Sequence, residues 1–261
     1  IQWGWRIPYA MGCILALLSF FLQSSLAESP VYEQLEQTDK VLTSPLKTAI
    51  KTNKRIMILV FLLCGFLSTV YYIASGFTEV FLTNIIHVNK HTVIKAMTYA
   101  ALAYVFVAPI GGLLSDKIGR KPILIISSVI LLLTVHWMFQ LLISGESFYV
   151  YAVSILMMAL ISIQHSSFPI YANELFPPEQ RFSGIATAYN TGVSVFGGTA
   201  PLLATCSISV FHSNFAPCLL FIVSLLAILA ILFYLPETHT NKTLTLSTII
   251  QGYKRRRLLR L

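Results

Sequence analysis

Gly111-Gly112-Leu113-Leu114-Ser115-Asp116-Lys117-Ile118-Gly119-Arg120-Lys121-Pro122 joins two apolar runs, residues 93–114 and 122–143. Each run has the roughly 20 residues that a helix needs to cross a bilayer core. Only a short polar strip separates them. Neither run alternates polar and apolar residues, so a transmembrane barrel is excluded. Gly119 suits a tight backbone turn. Three basic residues, Lys117, Arg120 and Lys121, crowd that turn, as loops on the cytoplasmic side of a membrane do. The stretch therefore reads as a hairpin between two membrane-spanning helices.

Moving outward, the same signature repeats. Further apolar runs cover residues 5–26, 56–84, 148–172, 183–206 and 215–235, giving seven in all. A signal peptide is a competing reading of the first run, through Arg6 and Ser25-Leu26-Ala27. The run is long for that role and carries Pro8 near its start. In lipid, every backbone polar group needs a partner, so these runs are expected to be helices. The composition agrees. Of 261 residues, 56% are hydrophobic and 11% charged, with a mean hydropathy of +0.75. Soluble domains carry about 25% charge. The net charge of +8 does not point to nucleic acid, because the basic residues sit in clusters between apolar runs. Cys13, Cys64, Cys206 and Cys218 share no metal-like spacing and read as small apolar residues.

Fifteen of the 18 Lys and Arg residues fall in alternate connections. Lys40, Lys47, Lys51, Lys54 and Arg55 follow the first run; Lys117, Arg120 and Lys121 follow the third. Arg181 follows the fifth, and Lys242, Lys254, Arg255, Arg256, Arg257 and Arg260 follow the last. This bias predicts an N-terminus outside and a C-terminus in the cytoplasm. The long polar connection is expected to be a cytoplasmic linker, with Glu33, Glu36, Lys40 and Lys47 in a pattern that also suits a surface helix.

The hairpin resembles the G-x-x-x-D-[RK]-x-G-R-[RK] signature of the major facilitator superfamily. Trp5-Arg6-Ile7-Pro8-Tyr9 and Glu28-Ser29-Pro30-Val31-Tyr32 resemble segments of its metabolite:proton symporter family. So do Glu174-Leu175-Phe176-Pro177 through Arg181-Phe182-Ser183-Gly184, Tyr189-Asn190, Phe196-Gly197-Gly198-Thr199-Ala200-Pro201 and Pro236-Glu237-Thr238. The resemblance implies an all-α integral membrane bundle of seven spans, a truncated version of a twelve-span fold and closest to proline/betaine transporters. Residues 1–26 would be the last span of the N-terminal half, 27–54 the central cytoplasmic loop, 55–235 a C-terminal six-helix bundle and 236–261 a basic cytoplasmic tail. It implies symport of a small zwitterion or organic acid with a proton, in a bacterial inner membrane. Alternatives are a non-transporting remnant, or one chain of a split transporter completed by a partner carrying the missing helices. Neither a cofactor nor a metal is called for, and no enzyme constellation is present: the sequence has no paired-histidine motif, nucleophile elbow or phosphate loop.

Several residues become site candidates. Tyr71 and Tyr72 match a tyrosine pair that lines the family's cavity, and tyrosine faces attract quaternary ammonium groups. Gln164 and His165 lie in a polar run just before Pro169 and are expected to face protein or water. His165 can also exchange protons. Glu79 is the one carboxylate inside an apolar run, a proton-coupling candidate or an interfacial residue at the outer mouth. His136 is expected to bond within the bundle, and Asn190 to touch substrate or bond between helices. Gly112 should allow a neighbouring helix to approach. Asp116 should cap a helix, pair with arginine locally, or face the other half of the transporter. Arg120 and Lys121 should hold the hairpin at the anionic surface. With Gly119, Glu174 and Arg181, these complete the expected conformational motif. Gly184, Ala188 and Gly192 recur every four residues, a stripe for close helix packing.

Overall fold

A computed structural model describes residues 3, 4, 6–25 and 44–238. The remainder of the expected central loop (including Glu28-Ser29-Pro30-Val31-Tyr32) and the tail from 239 onward lie outside the described residues. Seven helices are long and apolar enough to cross a membrane. The first, α1 (Arg6–Ser25), forms a unit with the N-terminal residues; the chain from Ser44 forms a second unit. Pro8 falls in the first turn of α1, where its missing N–H costs nothing.

The second unit begins with α2 (Pro45–Thr52), a short helix led by its proline. Six spans follow: α3 (Lys54–Ile85), α4 (Lys90–Ile118), α5 (Arg120–Ile143), α6 (Ser147–Glu174), α7 (Arg181–Phe211) and α8 (Ala216–Tyr234). Their cores are the six runs read from hydropathy. The ends of α3, α4, α6 and α7 extend beyond the runs, whereas α8 stops one residue short of its run at each end. Asn89 caps α4 by accepting from the His91 amide at 2.9 Å. Gly119 alone separates α4 from α5, with φ at +117°. That value lies where side-chain-bearing residues are strained, so the expected tight turn is present.

α6 is the hub, lying along α4 and against α5. α3 packs on α7 and α8, and α5 on α8. The core is aliphatic and aromatic, with Leu67, Phe77, Phe81, Leu131, Phe139, Met157, Phe221 and Leu225 all buried. Two serines within it are satisfied on their own helix. Ser127 and Ser128 each donate to a carbonyl one turn earlier, Ile123 at 2.7 Å and Leu124 at 2.7 Å.

Close approaches occur where side chains are missing. The stripe of Gly184, Ala188 and Gly192 is buried. A Cβ on Gly192 would lie 2.6 Å from the Phe61 carbonyl oxygen of α3. The expectation for the hairpin is corrected by one residue. A Cβ on Gly112 would meet nothing within 4 Å, whereas one on Gly111 would lie 2.9 Å from the Ile163 Cα of α6. Successive helical residues point about 100° apart, so only one of the pair can face α6.

Both long helices α3 and α7 contain π-helical turns, at Ile73–Phe77 and Phe81–Ile85 in α3 and Val193–Gly197 in α7. In the first, Thr78 donates to the Ile73 carbonyl five residues back at 2.8 Å. Such turns add a residue to the helical circuit and shift the side-chain register beyond them.

The α4–α6 contact gives a direct test. Gly111→Ala should lower the thermal stability of the solubilised chain by about 1–3 kcal/mol through overpacking. Gly112→Ala should be neutral or slightly stabilising. Melting curves of the two variants distinguish the faces.

Candidate functional site

α3, α4, α6 and α7 enclose a cavity of about 120 Å³ lined by Cys64, Ser68, Tyr104, His165, Phe168 and Tyr189, with Leu67 and Pro169. For scale, an engineered cavity of roughly 150 Å³ holds benzene. No Lys, Arg, Asp or Glu side chain is among its lining residues. Its polar groups are hydroxyls, a thiol and an imidazole. The Tyr104 hydroxyl is hydrogen-bonded to His165 Nδ1 at 3.0 Å. Tyr71 lies against the His165 ring at 5.2 Å between centroids and edge-on to Tyr104 at 5.8 Å. Phe168 stacks on Tyr189 at 6.2 Å. Ser162 donates to the Tyr104 carbonyl at 2.6 Å and ties α6 to α4 beside the pair.

The structure sorts the sequence candidates. His165 lines the cavity. Gln164, its neighbour, turns to α5, is fully buried and donates to Ser128 Oγ at 2.8 Å. The polar run thus splits between two helix faces. Tyr71 braces His165 from behind. Tyr72 packs edge-on to Tyr71 and lies where a Cβ on Gly197 would be 2.8 Å from its ring. Neither tyrosine is among the lining residues. Asn190 is exposed and donates to the Ala186 carbonyl of its own helix at 2.8 Å, so it bonds neither across helices nor into the cavity. A short amide satisfied one turn back has no need of a distant partner. His136 likewise lies on the exposed face of α5 and accepts from Gln140 Nε2 at 3.0 Å. Glu79 is exposed, about 36 Å along the helix from Arg55.

Tyr104 is not among the residues that the sequence points to, and Tyr189 is there only as part of the Tyr189-Asn190 segment. Tyr104 is seven residues, two turns, before Gly111, on the face of α4 that meets α6. That periodicity was available, but the choice between Gly111 and Gly112 decides which face it is.

The hairpin end holds a second constellation. Arg120 is 1% exposed, contrary to the expectation of a surface anchor. It pairs with Asp116, donates to Ser115 Oγ at 3.0 Å and approaches Glu174 Oε1 at 3.8 Å. Asp116 therefore has the local partner, one of the alternatives open in the sequence. Lys121 is half-buried and also bonded within the bundle. Its ammonium donates to the Leu235 carbonyl at 2.7 Å, at the C-terminal end of α8. Glu237 accepts from the backbone amides of Arg120 at 3.3 Å and Lys121 at 3.1 Å. A carboxylate at a helix N-terminus and an ammonium at a C-terminus both complement the helix dipole. Thr238 donates to Glu174 Oε2 at 2.6 Å, and Tyr171 to the Pro236 carbonyl at 2.7 Å. Arg181 reaches back to the Phe176 carbonyl, with Nη2 at 3.3 Å, and closes the α6–α7 turn. Glu174, Arg181 and Pro236-Glu237-Thr238, far apart in sequence, thus meet the hairpin or the turns beside it at one end of the bundle.

Against known proteins, the model of the Major Facilitator Superfamily matches residues 66–250. The chain belongs to the Major Facilitator Superfamily. It is a multi-pass, all-helical membrane protein. It is similar to the inner membrane metabolite transport protein YhjE of Escherichia coli, 28% identical over 78% of this chain and 48% of that protein. It is similar to the citrate-proton symporter of Salmonella typhi, 25% identical over 83% of this chain and 50% of the symporter. A putative proline/betaine transporter of Staphylococcus aureus is 28% identical over 83% of this chain and 47% of its own length. The chain spans about half the length of these relatives. No solved structure matches it.

The buried arginine makes the hairpin's charges unequal in weight. Asp116→Asn removes the nearest counter-ion of a guanidinium whose own side chain is 2% exposed, so it should lower the melting temperature clearly. Arg120→Gln removes the buried charge together with its contacts to Asp116, Ser115 and Glu174 and should lower it further. Thermal denaturation in detergent, followed by tryptophan fluorescence, compares them.

Proposed function

We propose that this chain supplies one wall of the translocation path of a secondary transporter, moving a small zwitterion or organic acid together with a proton. The observation that carries this reading is the Tyr104–His165 pair, a titratable imidazole bonded to a phenol on the wall of a cavity between four spans. In such transporters the midplane site lies between two repeats that rock against each other. α3 to α8 form one such six-helix repeat and α1 the last helix of the repeat before it. The facing helices come from elsewhere on the same polypeptide or from another chain. The basic end of the bundle faces the cytoplasm of a bacterial inner membrane.

The chemistry of the wall narrows its share of the work. It offers aromatic faces and hydroxyls but no fixed charge. Aromatic faces suit an ammonium or methylated ammonium group, as in proline or betaine. A substrate carboxylate would be met by the facing repeat. His165 is the proton carrier in this reading. Glu79, exposed and distant from Arg55, is the second candidate. A competing reading, a bundle that inserts but moves nothing alone, draws on the chain's span of half the length of its relatives.

Uptake of labelled proline, betaine and citrate into vesicles under an imposed pH gradient tests both. The 261-residue chain alone is expected to stay at background. Co-expressed with a chain carrying the preceding helices, it should accumulate one of these solutes. His165→Gln or Tyr104→Phe should then cut accumulation about ten-fold, the weight of one buried hydrogen bond to a charged group. Unchanged uptake in both variants would contradict the assignment.

A further inference from the structure

With Arg120 buried and Lys121 engaged at the end of α8, Lys117 is the one exposed cation of the hairpin, whereas α2 and the start of α3 present four. At 100° per residue, α2 divides into three sectors. Thr48, Ala49 and Thr52 face the bundle: Ala49 is fully buried, and Thr52 donates to Gln180 Oε1 at 3.2 Å. The next residue, Asn53, donates to the same oxygen at 2.7 Å. These contacts fix the rotation of α2 about its axis. A second sector carries Leu46 and Ile50, 39% and 48% exposed. The third, about 100° further round, carries Lys47 and Lys51, both exposed. Lys54 and Arg55, also exposed, extend the basic stripe into the first turn of α3. Among the described residues, none of these four cations forms an ion pair.

We propose that α2 lies in the membrane interface and that Lys47, Lys51, Lys54 and Arg55 bind the headgroups of anionic phospholipids. Two observations commit the surface to lipid rather than to a protein partner. Only Asn53 separates α2 from a membrane-crossing helix, so α2 cannot leave the bilayer surface. An exposed apolar stripe flanked by an unpaired basic one matches acyl chains below and phosphates above. Docking of α2 on Gln180, at the α6–α7 turn, would couple headgroup binding to the end of the bundle that holds the charged cluster.

The test uses the full chain reconstituted in mixed phosphatidylglycerol–phosphatidylcholine bilayers, with spin-labelled lipids reporting the relative association of each headgroup. Replacing Lys47, Lys51, Lys54 and Arg55 together by Gln should reduce the preference for phosphatidylglycerol at least about five-fold, the effect of a single cation near an anionic surface. Lys117→Gln, a single cation on the hairpin, should reduce it by less. A preference retained by the fourfold variant, or lost equally with Lys117→Gln, overturns the proposal. Ile50→Trp in a chain whose three native tryptophans are replaced by Phe gives an independent reading if the fourfold variant does not fold. Its fluorescence should be quenched by phospholipids brominated in the upper acyl chain. Quenching by aqueous acrylamide instead would also overturn the proposal.

Discussion

A guanidinium buried at the end of a membrane bundle is the constraint on which the arrangement rests. Removing an arginine from water costs several kcal/mol, recovered only if carboxylates and hydroxyls meet it in good geometry. Arg120 meets Asp116 and Ser115 on the last turns of α4 and approaches Glu174 at the end of α6. The α4–α5 hairpin is thereby held to α6. Glu237 and Lys121 then exchange contacts between the start of α5 and the end of α8. Four helix ends are thus tied within one six-helix unit.

The cavity inherits its geometry from that tie. Ser115, Gly111 and Tyr104 follow one another down the face of α4 that meets α6. Gly111 lets the backbones approach, and Ser162 bonds the Tyr104 carbonyl. The phenol of Tyr104 then reaches His165. On the opposite wall, Gly192 and Gly197 draw α7 against α3. The π-helical turn at Val193–Gly197 follows directly, and that at Ile73–Phe77 comes just after Tyr71 and Tyr72. Such π-helical turns shift the side-chain register of both helices and are often found at functional sites.

Much of this was legible from sequence. Seven spans, the hairpin turn at Gly119 and the close-packing stripe of Gly184, Ala188 and Gly192 all follow from hydropathy and residue size. The direction in which a residue points was not. Hydropathy assigns a residue to a span but not to a face, so Gln164 and His165, adjacent in a polar run, went to different helices. Charge was misjudged for the same reason. Arg120 and Lys121 look like surface cations beside Lys117, yet Arg120 also approaches Glu174 and Lys121 reaches the Leu235 carbonyl, 54 and 114 positions away. Asn190 is expected from sequence to touch substrate or to bond between helices, but here its amide donates to a carbonyl of its own helix.

The central claim is that Arg120 fastens the hairpin to α6 from within this bundle. A double-mutant cycle on Arg120→Gln and Glu174→Gln, read by thermal or denaturant unfolding in detergent, measures that link most directly. The account predicts a coupling energy of about 1–3 kcal/mol, as for contacting charges that share a network. Additive losses, with no coupling, would show that the two residues act independently and would contradict it.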